Sequence, residues 1–463
     1  MKKKLISVSI LALIAFNGCK KPLDLQPSDL IIDEYAFTDV TSLESGIIGT
    51  YATFNGSYDN DIYASALYSD EATLPLENNT GRGVIPYRWQ GDATSAEITN
   101  AWAAYYFGID RANRVLAAVE RVPAVDANEE NIKARVKGEA LALRAFGHLQ
   151  LMINFSNGFE PGALSVPYVE RAGIQQPSRL KVSEVVAKIK ADLAQAAALI
   201  PASFTTRTRI TLPAVNAMQA RLALYAKSWD EAIAAATAAI NGVPLETRTQ
   251  YPSIWTDVAN NGVIWKHKRE AGGTRIGRTF YDDTQDKIVY GPSQELRSLF
   301  DQTNDIRYAT LVTLRGTGRF SLGKYVGGTS GEPGRADIKV FRTAEMYLIR
   351  AEAYAEKNDL INAAADLNFL RAARINGYIN ATFASKQAAI DAIIEERFKE
   401  LAFEGQRIAD LRRRLLPVTR IPADAANALG AVNLNPTDRV YYFPIPNTEI
   451  LANPNVVQNP GYL

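Results

Sequence analysis

Two histidines and one cysteine in 463 residues leave little material for a metal centre, a redox couple or a nucleophile paired with an imidazole. His148 and His267 lie far apart, and neither has a second ligand at metal spacing. His148 sits among Phe146, Leu149 and Leu151 and reads as a core histidine satisfied by hydrogen bonds. The lone thiol, Cys19, has no intramolecular partner, so stability must come from packing. Charge of one sign is also lacking: 51 Lys and Arg stand against 50 Asp and Glu, which gives no basic excess for a nucleic-acid partner. There is no Gly-x-Ser-x-Gly elbow, His-Glu-x-x-His helix or Gly-x-x-x-x-Gly-Lys phosphate loop. Nothing predicts an enzyme, a cofactor or a bound metal.

The one long apolar run, from Leu5 to Phe16, is too short to span a bilayer. With Lys2, Lys3 and Lys4 before it, it reads as the core of a signal peptide over 1–18. Cys19 follows Gly18, the arrangement that lipoprotein processing needs: cleavage before the cysteine, then acylation of its sulfur and new amino group. The expectation is a lipidated tether over 19–33 as the sole membrane anchor, followed by a single domain over 34–463. Losing the three leader lysines would leave 48 cations against 50 anions.

From Asp39 onward helical periodicity dominates. It predicts helices over 41–54, 97–121, 129–155, 182–199, 212–226, 229–241, 341–357, 360–374 and 386–414. Ala220, Ala223, Ala232, Ala236 and Ala239 recur at the same offsets as Ala351, Tyr354, Ala363, Leu367 and Leu370. That is the spacing of close antiparallel helix pairs of tetratricopeptide type. A third pair sets Leu141, Ala145, His148 and Leu151 against Ile189, Leu193 and Ala196. The fold class is therefore all-α, built of tetratricopeptide-like hairpins. Two long irregular insertions, 58–96 and 242–340, interrupt it, with short strands allowed in the second. Loops of such length inside a domain usually carry function.

Glu396, Glu400 and Glu404 recur every four residues beside Arg397, Lys399 and Arg407, which reads as structural ion pairing. Asp282, Asp283 and Asp286 lack the order of a helix-loop-helix calcium site and read as a solvated acidic turn. The informative surplus is aromatic. Tyr58, Tyr63, Tyr68, Tyr87 and Trp89 fall in the first insertion, interleaved with Asp70, Asn78, Arg82 and Arg88. Sugars offer flat C–H faces to rings and hydroxyls to amide, carboxylate and guanidinium groups. The candidate ligand-binding set is Trp89, Tyr87, Arg82, Tyr68, Asp70, Asn78 and, from the second insertion, Tyr281. Trp89, between Pro86 and Gly91, is the leading stacking residue.

The tail carries Phe443-Pro444-Ile445-Pro446, Asn453-Pro454 and Gln458-Asn459-Pro460-Gly461-Tyr462. Prolines this close predict an irregular strap over 440–463, with no helix or central strand, pinned to the body by its aromatics. This tail, the run from Glu396 to Arg407, Trp102-x-x-x-Tyr106, Asn113, Leu143-Arg144-Ala145, Pro292-Ser293-x-Glu295-Leu296, Asp305-x-Arg307 and Arg342-x-Ala344-Glu345 occur together and in order. In this the chain resembles the SusD/RagB family of nutrient-binding outer-membrane lipoproteins. The resemblance implies a non-enzymatic protein, lipid-anchored to the outer membrane through Cys19, that binds glycan at the cell surface and delivers it to a SusC-like TonB-dependent transporter. The alternatives are a peptide-binding member of the same family, a secreted glycoside hydrolase, and a tetratricopeptide-like scaffold that binds only protein. Within the motifs, Trp102, Asn113, Arg144, Glu400, Glu404 and Arg407 are expected to hold the scaffold.

Overall fold

The computed structural model describes residues 33–327 and 331–462. The signal segment, Cys19 and all of the tether before Asp33 lie outside the described residues.

The two helix pairs foreseen from alanine spacing are present. Leu212–Tyr225 turns into Trp229–Gly242, and Thr343–Glu356 into Leu360–Ala372. Ala220, Ala223, Ala232, Ala236 and Ala239 are buried in the first, and Ala351, Ala363, Leu367 and Leu370 in the second. The turns correspond as well. Lys227 (φ 55°) and Asn358 (φ 62°) are left-handed at the same offset. The next amide in each, Ser228 or Asp359, donates to the carbonyl of Ala223 at 2.9 Å or of Tyr354 at 2.8 Å, closing the helix end in the Schellman manner. Small facing side chains also let Trp229–Gly242 pack on Thr343–Glu356, so the pairs stack across the 243–342 excursion.

Upstream, Ala127–Phe155 packs against Ala96–Arg121 and Val182–Leu199. Arg144 clamps all three: it donates to both Asp192 oxygens at 2.7 Å and to Asn113 Oδ1 at 3.0 Å. One turn on, His148 bonds the Arg144 carbonyl through Nδ1 at 2.9 Å and accepts the Val169 amide at Nε2, also at 2.9 Å. Burial pushes its pKa down to about 3, so it is a neutral core histidine.

Three expectations need correction. The helix predicted over 386–414 is two, Lys386–Glu400 and Arg407–Arg413. Between them Phe403 (φ 59°) and Gly405 (φ 78°) turn left-handed. The break frees the carbonyls of Glu400 and Ala402 for Lys324 Nζ (3.2 and 2.9 Å), and that of Phe403 for the Tyr325 hydroxyl (2.9 Å). Around it lies a buried charge network: Glu400 meets Arg342 at 2.8 Å, Arg374 at 3.0 Å and Arg307 at 3.1 Å, and Glu404 meets Lys324 and Arg342. Burial alone would raise the Glu400 carboxyl, but the three guanidinium groups outweigh it and hold it well below the usual carboxylate range.

Second, the 58–96 insertion opens with a helix, Ser57–Tyr68, buried on nearly every side. Its Asp61 accepts from the hydroxyl of Tyr105 at 2.5 Å and from Gln150 and Asn154 at 2.8 Å each. Polar residues turned inward left no apolar stripe to read. Third, the C-terminal strap is pinned as expected, with Asn459 Nδ2 donating to the carbonyls of Phe155 (3.0 Å) and Phe443 (2.7 Å). It nevertheless contains a short helix, Asn447–Ala452, begun by Pro446 and finished before Pro454.

The 242–340 excursion is closed at its base by Val263–His267 pairing antiparallel with Ile338–Arg342. Ala72–Thr73 pairs with Gly291–Pro292 and ties the first insertion to the second.

Candidate ligand-binding face

Two hairpins of the second insertion and one loop of the first build an accessible face. In one hairpin, Tyr281–Asp282 pairs with Lys287–Ile288. The Asp282 carboxylate organises its turn, accepting from Thr284 Oγ1 at 2.6 Å, Thr284 N at 3.0 Å and Gln285 N at 3.3 Å. These bonds, that of the Thr284 hydroxyl above all, hold its pKa below the ordinary value. The other hairpin pairs Val312–Leu314 with Phe320–Leu322 around Arg315-Gly316-Thr317-Gly318-Arg319.

Hydrogen bonds lock these pieces to loop 75–83. Arg319 reaches Glu77 at 2.8 Å and Asp286 at 3.2 Å, Lys287 Nζ donates to Asn79 Oδ1 at 2.9 Å, and the Tyr290 hydroxyl donates to the Arg82 carbonyl at 2.9 Å. Asp286 also accepts the Tyr281 hydroxyl at 2.6 Å. The Arg315 guanidinium lies over the Tyr281 ring, 4.0 Å from its centroid. That ring is therefore fixed at its hydroxyl and on one face.

Beside it opens a cleft of about 440 Å³, lined by Arg278, Tyr281, Asp283, Arg315, Tyr325 and Val326 among others. Gly277 closes its floor by close approach: a Cβ there would stand 1.9 Å from the Tyr325 carbonyl oxygen and 2.6 Å from Gly334 Cα. Of the two carboxylates on the cleft wall, Asp283 pairs with Arg278 at 2.6 Å and Glu332 with Arg335 at 3.0 Å.

The residues expected to bind ligand divide into two groups. Tyr281, Arg82 and Asn78 belong to the accessible face. Tyr281 lines the cleft, and Arg82, half-exposed, lies 3.6 Å from Asp282. Asn78 is partly buried and braces its loop, donating to the Val289 carbonyl at 2.9 Å. Trp89, Tyr87, Tyr68 and Asp70 are elsewhere, in the core, which contradicts the expectation of an exposed platform at Trp89. The Trp89 ring is 8% exposed and its Nε1 donates to the Tyr68 carbonyl at 3.1 Å. Tyr87 is buried with its hydroxyl on the Asp424 carbonyl at 2.9 Å, and the buried Tyr68 ring meets Phe443 edge-on at 4.9 Å. Asp70 holds Arg407 through both oxygens, at 2.7 and 2.6 Å. The cause is Arg420, which fills the space between the Tyr87 and Trp89 rings and the backbone.

Arg278, Arg315 and Arg319 were not among the expected residues. A signal existed: Arg315-Gly-Thr-Gly-Arg319 between two runs of Val, Thr, Leu and Phe is a hairpin pattern that sets arginines at both ends of its turn.

Two family models match the chain: one described as the SusD family over residues 258–462, the other as starch-binding, associating with the outer membrane, over residues 30–224. SusD-like protein P38 of Formosa agariphila is 22% identical over the whole of both chains. The starch-binding protein SusD of Bacteroides thetaiotaomicron is 34% identical over 128 residues, 27% of this chain and 22% of that one. Among solved structures, a SusD superfamily protein from Bacteroides thetaiotaomicron superposes with a TM-score of 0.80 at 23% identity, over 91% of this chain and 100% of the other. A putative sugar binding protein from Bacteroides vulgatus gives 0.81 at 23%, over 92% and 100%. The shared helical fold extends to nearly the whole described chain.

Proposed function

Because this chain belongs to the SusD/RagB family, we propose that it binds glycan at the outer membrane and passes it to a SusC-like TonB-dependent transporter, held to the membrane by lipid on Cys19. The observation that carries the binding part is the fixed Tyr281 ring on the wall of a polar cleft, with Arg82 and the Asp282 turn beside it. A ring whose orientation is set before ligand arrives loses little freedom on stacking against a sugar, and the surrounding polar groups answer hydroxyls. The cleft carboxylates Asp283 and Glu332 are each engaged by an arginine, which supports binding without hydrolysis, since a glycosidase needs two carboxyl groups free to act as acid and base or nucleophile. No helix among the described residues is long and apolar enough to cross a membrane, consistent with attachment through Cys19.

The test is to run the purified chain through gels containing single polysaccharides and to score oligosaccharide release in parallel. Retardation without release is the expected result. Sustained release would replace this reading with a hydrolase, and retention only by oligopeptides would replace glycan with peptide.

A further inference from the structure

Resting on the glycan-binding reading above, we propose that the cleft selects acidic glycans, and that Arg315 receives their carboxylate or sulfate groups. The cleft wall holds two arginines with different commitments. Arg278 is spent on Asp283. Arg315 makes no ion pair among the described residues; its Nε donates to Ser321 Oγ at 3.2 Å, and its guanidinium stacks on Tyr281. The bond and the stack fix the plane of the fork, while Nη1 and Nη2 have no hydrogen-bond partner among the described residues.

A planar fork held in place with its terminal nitrogens unused is suited to two-point capture of a carboxylate or a sulfate. A neutral sugar would leave that cation unmatched in a concave site. The neighbouring anions are paired elsewhere: Asp283 and Glu332 with Arg278 and Arg335, and Asp286, which feels the Arg315 charge without reaching salt-bridge distance, with Arg319 and the Tyr281 hydroxyl. Arg275, whose Nη1 donates to the Pro333 carbonyl on the cleft wall at 3.4 Å, adds a second cation with no carboxylate partner among the described residues. The lining holds Arg278 and Arg315 against Asp283 and Glu332; with Asp283 paired to Arg278 and Glu332 to Arg335, Arg315 is the lining cation left without an ion pair among the described residues.

Affinity gels and calorimetry with polygalacturonate, alginate, λ-carrageenan, amylopectin and dextran test this, using the parent chain, Arg315→Gln and Arg315→Lys. We expect the parent to bind a polyuronate or the sulfated galactan and neither neutral glucan, with affinity falling as NaCl rises. Which acidic glycan binds distinguishes carboxylate from sulfate. Arg315→Gln should weaken that binding at least tenfold and flatten its salt dependence, with Arg315→Lys intermediate because it keeps charge and loses the fork. Binding confined to the neutral glucans overturns the acidic preference and leaves glycan binding standing, whereas no binding to any of the five overturns both. Acidic binding that Arg315→Gln leaves unchanged removes Arg315 from the role. Should Arg315→Gln melt far below the parent, Arg315→Lys and the salt dependence of the parent decide, and salt-independent binding would overturn the proposal.

Discussion

The Arg420 guanidinium lies 4.3 Å from the centroid of the Trp89 ring, inside the protein, and 3.9 Å from that of Tyr87. Its nitrogens donate to the carbonyls of Leu67 (2.7 Å), Ser69 (3.1 Å) and Tyr87 (2.7 Å). With no carboxylate at salt-bridge distance among the described residues, the cation is satisfied by ring faces and backbone oxygens alone, and burial lowers its pKa. The arginine thus ties the end of the Ser57–Tyr68 helix to the Trp89 turn.

Removing either partner should cost stability rather than affinity. Trp89→Ala is expected to destabilise the fold by about 3–5 kcal/mol, the usual loss for a large buried aromatic. Denaturant titration checks this. An unaltered unfolding midpoint together with lost glycan binding would return the ring to the ligand.

Glu400→Gln should be comparably damaging, because it leaves Arg307, Arg342 and Arg374 crowded around a neutral amide in a dry site. Breaking such a buried network typically costs about 3–5 kcal/mol. Thermal melts of Glu400→Gln and Glu404→Ala beside the parent measure the effect, and parent-like melting in both would mean that these carboxylates do not hold the scaffold.

The depressed pKa of His148 gives a pH signature. In the unfolded chain it takes up a proton as pH falls below about 6.5, whereas the folded chain resists until about 3. Stability from this group is therefore complete above pH 6.5 and is lost as pH falls, by about 2 kcal/mol at pH 5. Buried Asp59 and Asp61, each raised to about 7 chiefly by burial, act in the opposite sense over pH 4–7. The useful quantity is therefore the difference between parent and His148→Gln. We expect the parent's advantage at pH 7 to shrink by about 2 kcal/mol at pH 5; a gap independent of pH would contradict a neutral buried imidazole.

The scaffold was legible because its helices announce themselves through repeated small residues: Ala223 and Tyr354 even foretell corresponding turns at Lys227 and Asn358. The Ser57–Tyr68 helix was hidden because Asp59 and Asp61 face inward, where Arg269, Tyr105, Gln150 and Asn154 meet them from distant segments. The same blindness misplaced the ligand face. Trp89 and Tyr281 both stand among polar residues in irregular sequence, and what separates them is the distant Arg420, which covers the first. No local pattern carries that information.

Membrane attachment makes a separate prediction. Cys19→Ala should leave the membrane pellet on cell fractionation in a strain lacking the proposed transporter, since the apolar run ahead of it is too short to span a bilayer. Continued pelleting would mean another anchor.

The most direct measurement is calorimetry of Tyr281→Ala against whichever glycan binds the parent, paired with a circular dichroism melt. Tyr281 is partly exposed, and its hydroxyl bond to Asp286 lies at the surface, so the melt should shift by only a few degrees. By analogy with base stacking, losing the ring should remove about 1–3 kcal/mol of binding, so affinity is expected to fall about tenfold or more. Parent-like affinity in a folded Tyr281→Ala protein would contradict a glycan site on this face.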